Sequence, residues 1–414
     1  MPLPSSVHSS RALSRGSSFL FLFAVALPVV FTAGCGGNSA SMSHPTPAPA
    51  CVPSSKPEFA YALTGYAVSM YTVDSCTGQF TATTPASVST GYAYPQDNSE
   101  QMVVDPLGRF AYVANLVSNA SDLSTISMYA INPTSGVLTP TEPATVPTGW
   151  FPQGIAIDPL GRFVYTANTD DSTVSMFTIN QTTGVLTPTT PASVSTMIPG
   201  QLLSDPGFLT VDPTGKFLYV SASDTNGATV SMFRINQTTG LLTPTSPATV
   251  LTDGIPFQVV VAPNSKFAYV VNNDAGGDIP VAVSQYTVDS ATGVLTESSS
   301  YGVSAGNAPT AIAVDPTSKF AYVVNRNDNT VSMYTIDPST GNLTLNVSGA
   351  APTGTIAAGT EPFRIDFDPT GKFLYVTNEQ SAASIYTVNS DGTLAAAGTT
   401  GVGSGSLSIA FRAH

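Results

Sequence analysis

The sequence predicts an all-β protein, a seven-bladed β-propeller built of four-stranded antiparallel blades. Three observations predict this fold. A Phe-x-Tyr motif recurs seven times at intervals of 50 to 54 residues, a glycine follows each copy, and the two ends of the chain supply complementary parts of one unit. The motif begins at Phe59, Phe110, Phe163, Phe217, Phe267, Phe320 and Phe373. The glycines are Gly78, Gly136, Gly184, Gly240, Gly293, Gly341 and Gly392.

Each unit contains four predicted strands, which are clearest in the third copy. Short apolar runs rich in β-branched and aromatic residues predict strands A (154–157), B (163–167), C (173–179) and D (185–188). A meander of this size cannot bury both of its faces alone. It must therefore stack on its own copies, as the blades of a propeller do.

The turns of this unit also favour hairpins. Asp158, Pro159 and Gly161 between strands A and B suit a tight turn, because Asp bonds the backbone ahead, Pro presets φ and Gly accepts positive φ. Gly184, between strands C and D, suits the left-handed position of a short loop with a bulge.

The ends of the chain predict how the ring closes. The first unit begins directly at strand B, at Phe59, whereas residues 407–411 match strand A and stop there. The C-terminal strand is therefore predicted to complete blade 1, so that no blade keeps an open inner edge.

Residues 1–35 are typical of an export signal. Arg11 and Arg15 precede an apolar run over 19–31, which is too short for a comfortable membrane span and is followed by small residues. The segment ending in Cys35 resembles a bacterial lipobox. That resemblance implies a lipid-acylated Cys35 and a protein anchored in the bacterial cell envelope, with Gly36 favouring the outer membrane. An ordinary cleaved signal is the alternative.

The remaining chain divides into a tether and the propeller. Residues 36–55 are rich in Gly, Ser and Pro and predict a flexible tether, and the predicted propeller spans 56–414. In an oxidising compartment, the isolated pair Cys51 and Cys76 is expected to form a disulfide.

The composition restricts the partners. Of the 13 basic residues, two lie in the first 35, so 11 face 26 acidic residues in the rest of the chain, a net charge of −15. Such a surface repels nucleic acid and anionic headgroups. The expected partners are a protein, or a small-molecule or carbohydrate ligand that is neutral or cationic, and we expect a monomer.

In a propeller of this topology, strand A lines the central channel. The D–A connectors and B–C loops share one face, here the connector face, and the A–B and C–D hairpins share the other, the hairpin face. We predict the site on the connector face. Its candidate ligand-binding residues are Trp150, Phe151, Gln153, Gln258 and Phe363.

Strand A of blade 7 breaks the repeat. It carries Arg364 and Asp366 where blade 6 has Ala311 and Ala313. Because they are two residues apart on a strand, both are predicted on the same side. Together with Glu361 they are candidate catalytic residues. The arginine could bind an anionic group of a ligand, and the carboxylates could act as general acid or base. A plain salt bridge that plugs the channel is the alternative.

Several chemistries are excluded. The three histidines, His8, His44 and His414, all lie outside the blades, so a histidine triad or zinc site inside them is excluded. Asp and Asn clusters in the B–C loops, such as 168–171, lack the ordered spacing of a calcium loop and are interpreted as turn-forming residues. No motif for a cofactor is present, and we expect none.

The motif Tyr-Val-Thr-Asn at 375–378 and near copies at 322–325 and 112–115 resemble YVTN-type propellers. The repeat also resembles the lactonase propellers that include 6-phosphogluconolactonase. That family typically has Pro-Arg-His before strand A, where this chain has Pro152-Gln153 and Pro362-Phe363. We therefore hypothesise a binding module acting through the connector face. The alternative is a lactone hydrolase that uses Arg364 with Asp366 or Glu361 in place of histidine.

Overall fold

A computed structural model describes residues 51–54, 57–91, 99–116, 124–197, 204–224, 227–273, 282–298, 302–348, 353–403 and 406–412. The predicted signal with Cys35, and most of the predicted tether, lie outside these residues. The described chain forms 29 strands, numbered β1 to β29, and contains no helix of the length and hydropathy that a membrane crossing requires.

The strands form seven antiparallel sheets, as the repeat predicts. From the channel outward, blade 1 consists of β29 (Ser406–Arg412), β1 (Glu58–Thr64), β2 (Ala67–Val73) and β3 (Phe80–Ser89). Blade 2 is β4 (Ser99–Val104), β5 (Phe110–Asn115), β6 (Thr125–Ile131) and β7 (Leu138–Pro147), and blade 3 is β8 (Pro152–Ile157), β9 (Phe163–Asn168), β10 (Thr173–Ile179) and β11 (Leu186–Ser195). Blade 4 is β12 (Asp205–Val211), β13 (Phe217–Asp224), β14 (Gly227–Ile235) and β15 (Leu242–Leu251). Blade 5 is β16 (Pro256–Val261), β17 (Phe267–Asn272), β18 (Val283–Val288) and β19 (Leu295–Glu297). Blade 6 is β20 (Pro309–Val314), β21 (Phe320–Asn325), β22 (Thr330–Ile336) and β23 (Leu343–Leu345) with β24 (Thr355–Ala357), and blade 7 is β25 (Pro362–Phe367), β26 (Phe373–Asn378), β27 (Ser381–Val388) and β28 (Leu394–Thr400).

The predicted closure of the ring is confirmed. Strand β29 pairs antiparallel with β1, with Phe59 opposite Arg412 and Leu63 opposite Ser408. The A strands of neighbouring blades contact one another around the ring. The C-terminal strand therefore occupies the innermost place in blade 1, although the other three strands of that blade come from the start of the propeller.

The outer strands differ most from the prediction. In blades 1 to 4, strand D has ten residues, longer than predicted, because the Pro-containing tail continues the strand after a register shift. In blades 5 and 6, strand D has three residues. There a later part of the chain covers the outer edge instead, as β24 pairs with β22 and Val303 bridges Val283.

The hydrophobic core consists of seven clusters, each between two neighbouring blades. The Phe of every Phe-x-Tyr motif packs under the C–D glycine of the next blade. At Gly392, where φ is +80°, a Cβ would lie 2.1 Å from the ring of Phe320. Glycine is therefore required there both for the backbone conformation and for the space.

The Tyr of each motif connects the blades by a hydrogen bond. Its hydroxyl donates to the carbonyl oxygen of the same C–D glycine at 2.8 to 2.9 Å. The pairs are Tyr61 with Gly136, Tyr112 with Gly184, Tyr165 with Gly240, Tyr219 with Gly293, Tyr269 with Gly341, Tyr322 with Gly392, and Tyr375 with Gly78. The last pair joins blade 7 to blade 1, so all seven interfaces carry the same bond.

Replacing Tyr165 with Phe should therefore weaken one blade interface. We expect the free energy of unfolding to fall by about 1 kcal/mol, because the buried carbonyl of Gly240 loses its donor while the ring stays in place. Urea denaturation measures this. Tyr66→Phe is the control, because Tyr66 is 43% exposed. Equal stability of Tyr165→Phe and wild type would show that the bond contributes nothing.

On the hairpin face, the residues before strand B are structural. Arg109 and Arg162 form ion pairs with the buried Asp105 and Asp158, at 2.7 and 2.8 Å. A disulfide joins Cys51 to Cys76 in the C–D turn of blade 1, with Cα atoms 5.6 Å apart. This disulfide holds the start of the described chain against the hairpin face.

Candidate functional site

The side chains of the central channel come from strand A of each blade. Six A strands carry a register shift near their start, and β29 has one at the equivalent point in its pairing with β1. After this bulge, side chains alternate in direction. In β25, Ile365 and Phe367 pack into the cluster with blade 6. Arg364 and Asp366 therefore lie on the other side of the strand, as predicted.

Equivalent positions around the ring define two layers. The layer of Arg364, nearer the connector face, consists of Gln101, Gly154, Phe208, Gln258, Ala311, Arg364 and Ser408. The layer of Asp366, nearer the hairpin face, consists of Val103, Ala156, Thr210, Val260, Ala313, Asp366 and Ala410. Asp366 is thus the single ionisable residue of its layer.

Arg364 lies among three phenylalanine rings. Its guanidinium carbon is 3.8 Å from the centroid of Phe208, 5.2 Å from that of Phe363 and 5.6 Å from that of Phe257. The rings also contact each other, Phe208 and Phe257 at 4.9 Å, Phe257 and Phe363 at 5.9 Å. Because Phe208 and Phe257 belong to blades 4 and 5, Arg364 of blade 7 reaches across the channel. The side chain is 8% exposed and held by cation–π contacts.

Asp366 lines two cavities. One, of about 260 Å³, is also lined by Gln101, Gln258, Arg364 and Ser408. The second, of about 390 Å³, extends to Pro263 and Pro316 in the A–B hairpins of blades 5 and 6. The prediction of a site on the connector face therefore fits Arg364 but not Asp366. Because β25 runs away from the connectors, a residue two positions later lies roughly 6.6 Å closer to the hairpin face.

The environment of Asp366 changes its acidity. The Asp366 side chain is exposed to water within the channel, although many protein atoms lie around its carboxyl. Burial raises the pKa of Asp366 to about 7, against a hydrogen bond from the Phe367 N–H at 2.9 Å, and the Asp368 carboxylate adds to the rise. Near neutral pH, this group can both accept and return a proton.

The three predicted catalytic residues do not form one cluster. Among the described residues, no ion pair joins Arg364 to Asp366, so the plain salt bridge left open by the sequence is not formed. Glu361 lies on the connector face, where its carboxylate pairs with Arg326 at 3.3 Å. The same Arg326 pairs with Glu379 at 2.8 Å. Glu361 therefore belongs to a surface ion network.

Two glutamine side chains line the cavity beside Asp366. The Oε1 atom of Gln258 accepts the backbone N–H of Ile312 at 2.9 Å, and that of Gln101 accepts the N–H of Ile155 at 3.0 Å. A backbone N–H must face the amide oxygen, which fixes the orientation of each amide. The two Nε2 groups are thereby left as donors, and they have no protein acceptor within the described residues.

The other predicted ligand-binding residues lie on the connector face. Trp150 is 37% exposed, and its backbone N–H donates to Asp171 at 2.7 Å. Phe151 has a φ of 55° and Gln153 occupies the bulge of β8, beside Gly207. Neither Trp150, Phe151 nor Gln153 lines the cavities at Asp366.

The asparagine of the YVTN-like motif is structural. Asn168, Asn325 and Asn378 are buried and donate to Ser hydroxyls of the neighbouring C strand at 2.8 to 3.1 Å. Within the described ranges, no group of Asp, Glu, His or Cys side chains is placed to hold a metal ion. The B–C loop residues there bond the backbone, as Asp171 and Asp328 do.

Two residues of the site, Gln101 and Phe208, were not among the predicted site residues. Gln101 occupies the same strand position as Gln258, and comparison of Ser-Glu-Gln-Met with Pro-Phe-Gln-Val would have found it. Phe208, the ring closest to Arg364, occupies that position in blade 4. No local signal links Phe208 to Arg364, since the contact crosses the ring.

Comparison with known proteins identifies relatives of this chain. The family model described as "Lactonase, 7-bladed beta-propeller" matches residues 54–200 and 256–409. The 6-phosphogluconolactonase of Bacillus subtilis is 27% identical over 203 residues, which are 47% of this chain and 56% of that protein. The matched part thus spans just over half the length of this relative.

Solved structures share the fold. A Bacteroides uniformis protein, solved as a candidate 6-phosphogluconolactonase, aligns with a TM-score of 0.68 at 22% identity, covering 86% of this chain and 99% of the other. A periplasmic gluconolactonase of Pseudomonas aeruginosa gives 0.65 at 18% identity, covering 87% and 99%. At such identities, the likeness establishes the propeller alone.

Proposed function

Because this chain belongs to the lactonase family of seven-bladed β-propellers, we propose that it hydrolyses the ring ester of a small lactone in the central channel. One observation carries the proposal: a channel carboxylate, Asp366, shares a cavity with two oriented amide donors, Gln101 and Gln258. Between the two hypotheses raised by the sequence, this arrangement and the relatives favour the hydrolase over the binding module.

The chemical step needs only these groups and water. The Asp366 carboxylate takes a proton from water as the water oxygen bonds to the lactone carbonyl carbon. The carbonyl oxygen becomes an oxyanion, for which the Nε2 groups of Gln101 and Gln258 are the available donors. When the carbonyl re-forms, the ring C–O bond breaks, and the leaving oxygen takes the proton from Asp366. The product is an open-chain hydroxy acid.

Arg364 contributes a fixed positive charge at the connector end of the cavity. Three phenylalanine rings and a hydrogen bond from its backbone N–H to Thr377 at 3.0 Å hold it in place. A charge held in a partly dry channel favours the oxyanion without reorganisation. Arg364 is therefore assigned to electrostatic stabilisation, and Glu361 to the surface ion network.

The test compares wild type with a variant that separates the two roles of Gln258. Gln258→Glu keeps an oxygen to accept the Ile312 N–H but removes the amide donor. We expect kcat on δ-gluconolactone to fall by about 10²-fold, in line with the loss of one oxyanion donor, while the melting temperature stays near that of wild type.

The assay measures initial rates of acid release above the buffer blank, for a panel of five- and six-membered lactones. Gln153→Glu is the matched control, because Gln153 does not line the cavity at Asp366. Absence of turnover on every lactone by wild type would reject the hydrolase. Full activity of Gln258→Glu would show that the Gln258 amide is not an oxyanion donor.

A further inference from the structure

The charged side chains that line the channel indicate whether it binds a neutral or a phosphorylated lactone. Among the described residues that line the two cavities at Asp366, Arg364 is the single basic one. It is 8% exposed and enclosed by Phe208, Phe257 and Phe363. A ligand entering from the A–B hairpins meets Asp366 first, because Arg364 lies nearer the connector face.

Buried carboxylates lie at the hairpin ends of the A strands. Five blades place an aspartate directly after strand A, and all five are buried: Asp105, Asp158, Asp212, Asp315 and Asp368. Asp105 and Asp158 have arginine partners. Within the described residues, the other three form no ion pair, and their oxygens accept backbone and threonine donors. Three carboxylates without an ion-pair partner among the described residues therefore lie at the hairpin ends of the A strands.

Four basic residues of the hairpin face contact the C–D turn of the next blade and not the channel. Arg109 and Arg162 reach Gln181 and Gln237 in the C–D turn of the next blade. Lys372 does the same, donating to the carbonyl of Ser75 at 2.8 Å and lying 4.7 Å from the centroid of Phe373. Arg412, at the end of β29, donates to the carbonyl of Pro133 at 2.8 Å.

The uncharged polar groups of the cavity suit hydroxyl groups. The amide nitrogens of Gln101 and Gln258 are donors, and Ser408 and Thr377 add hydroxyls that line the same cavity. A phosphate dianion would need several cations or backbone N–H groups aimed at it, and the described lining offers one enclosed guanidinium. It would also lie close to the Asp366 carboxylate, which lines both cavities, and a partly enclosed channel strengthens the repulsion between the two anions.

We propose that the channel is specific for an uncharged polyhydroxy lactone and discriminates against its phosphate ester. The inference rests on the proposed hydrolase activity and narrows its substrate class. It separates this chain from relatives whose names specify a phosphorylated substrate.

The experiment uses δ-gluconolactone and its 6-phosphate as a matched pair. With wild type at low salt, we expect kcat/KM for the phosphate to be lower by at least about tenfold, and we expect added salt to narrow the gap. Thr210→Lys places a cation in the cavity at Asp366 and should raise the relative use of the phosphate. Thr210→Gln, similar in size but uncharged, should not.

A second measurement keeps the two proposals apart. Calorimetry compares binding of D-gluconolactam, an uncharged analogue with an amide in place of the ester, with binding of its 6-phosphate. If wild type turns over the phosphate as well as the neutral lactone, the inference is wrong and the hydrolase stands. If neither lactone is turned over, the hydrolase fails. In that case, tighter binding of the neutral lactam still supports the inference, whereas equal or tighter binding of the phosphate, or no binding of either, overturns it.

Discussion

Replacement of Asp366 by Asn is expected to lower kcat for lactone hydrolysis by about 10² to 10⁴-fold. The amide keeps the size of the side chain but cannot accept the proton of the attacking water. Since Asp366 lines both cavities and is the single ionisable residue of its layer, no neighbour in that layer can replace it. Initial rates at saturating lactone measure the effect. Asp170→Asn, at an exposed loop position, is the control.

The pH dependence gives an independent readout of the same residue. The base is the ionised form, and the pKa of Asp366 is raised to about 7, so wild-type kcat should rise with pH and level off above that value. The residual rate of Asp366→Asn should lack this rise. A wild-type profile that levels off near pH 4, where an ordinary carboxyl titrates, would contradict the role of Asp366.

Stability separates this loss of activity from misfolding. The folded-state pKa of Asp366 lies above its unfolded value of about 4, so the protonated carboxyl stabilises the fold at low pH, and this stabilisation is lost as the pH rises from about 4 through 7. Asn mimics the neutral form. At pH 8, Asp366→Asn should therefore be at least as stable as wild type, and a destabilised variant would leave misfolding as the cause of its inactivity.

A chain that ends at Gly403 is expected not to fold stably. It lacks β29, whose Ile409 and Phe411 pack against blade 7 and whose Ala410 packs in the cluster with blade 2. The backbone of β1 would also lose its inner partner. Loss of a buried Ile alone costs about 2 to 5 kcal/mol, and whole domains are stable by only about 5 to 15 kcal/mol.

Circular dichroism and the melting transition test this expectation, with a chain ending at Arg412 as the matched control. A synthetic peptide of residues 404–412 added in trans should restore the transition in a concentration-dependent way, because it supplies the missing strand. Wild-type melting of the shorter chain without the peptide would show that blade 1 is stable with three strands.

The sequence was sufficient to predict the architecture because the same structural residues recur in each blade. The Phe, the Tyr and the C–D glycine recur with a constant spacing, and each has one structural task at an interface. The break at Arg364 and Asp366 also stood out against six regular A strands. The blade architecture, and the position at which blade 7 departs from the repeat, could therefore be predicted from the sequence.

The contacts across the ring could not be predicted. Arg364 contacts Phe208 and Phe257 only because blades 4, 5 and 7 meet at the central axis. The spacing of these three residues in the sequence does not indicate that they are in contact. The separation of the three predicted catalytic residues, Glu361, Arg364 and Asp366, could not be predicted either. Glu361 precedes the bulge of β25 and Asp366 follows it, so three nearby residues occupy the connector face, the Phe-lined centre and the hairpin-side cavity.

The uniform hydrogen bond from each tyrosine to the next blade has a consequence for chain connectivity. Because the bond between blades 7 and 1 matches the other six, the ring distinguishes no interface as its seam. Strands β1 and β29 are already neighbours, so a short linker could join Arg412 at the end of β29 to Glu58 at the start of β1. The chain could then be opened at the A–B hairpin of another blade to give a circular permutant with the same seven interfaces, and the present order of the blades is one of seven such arrangements.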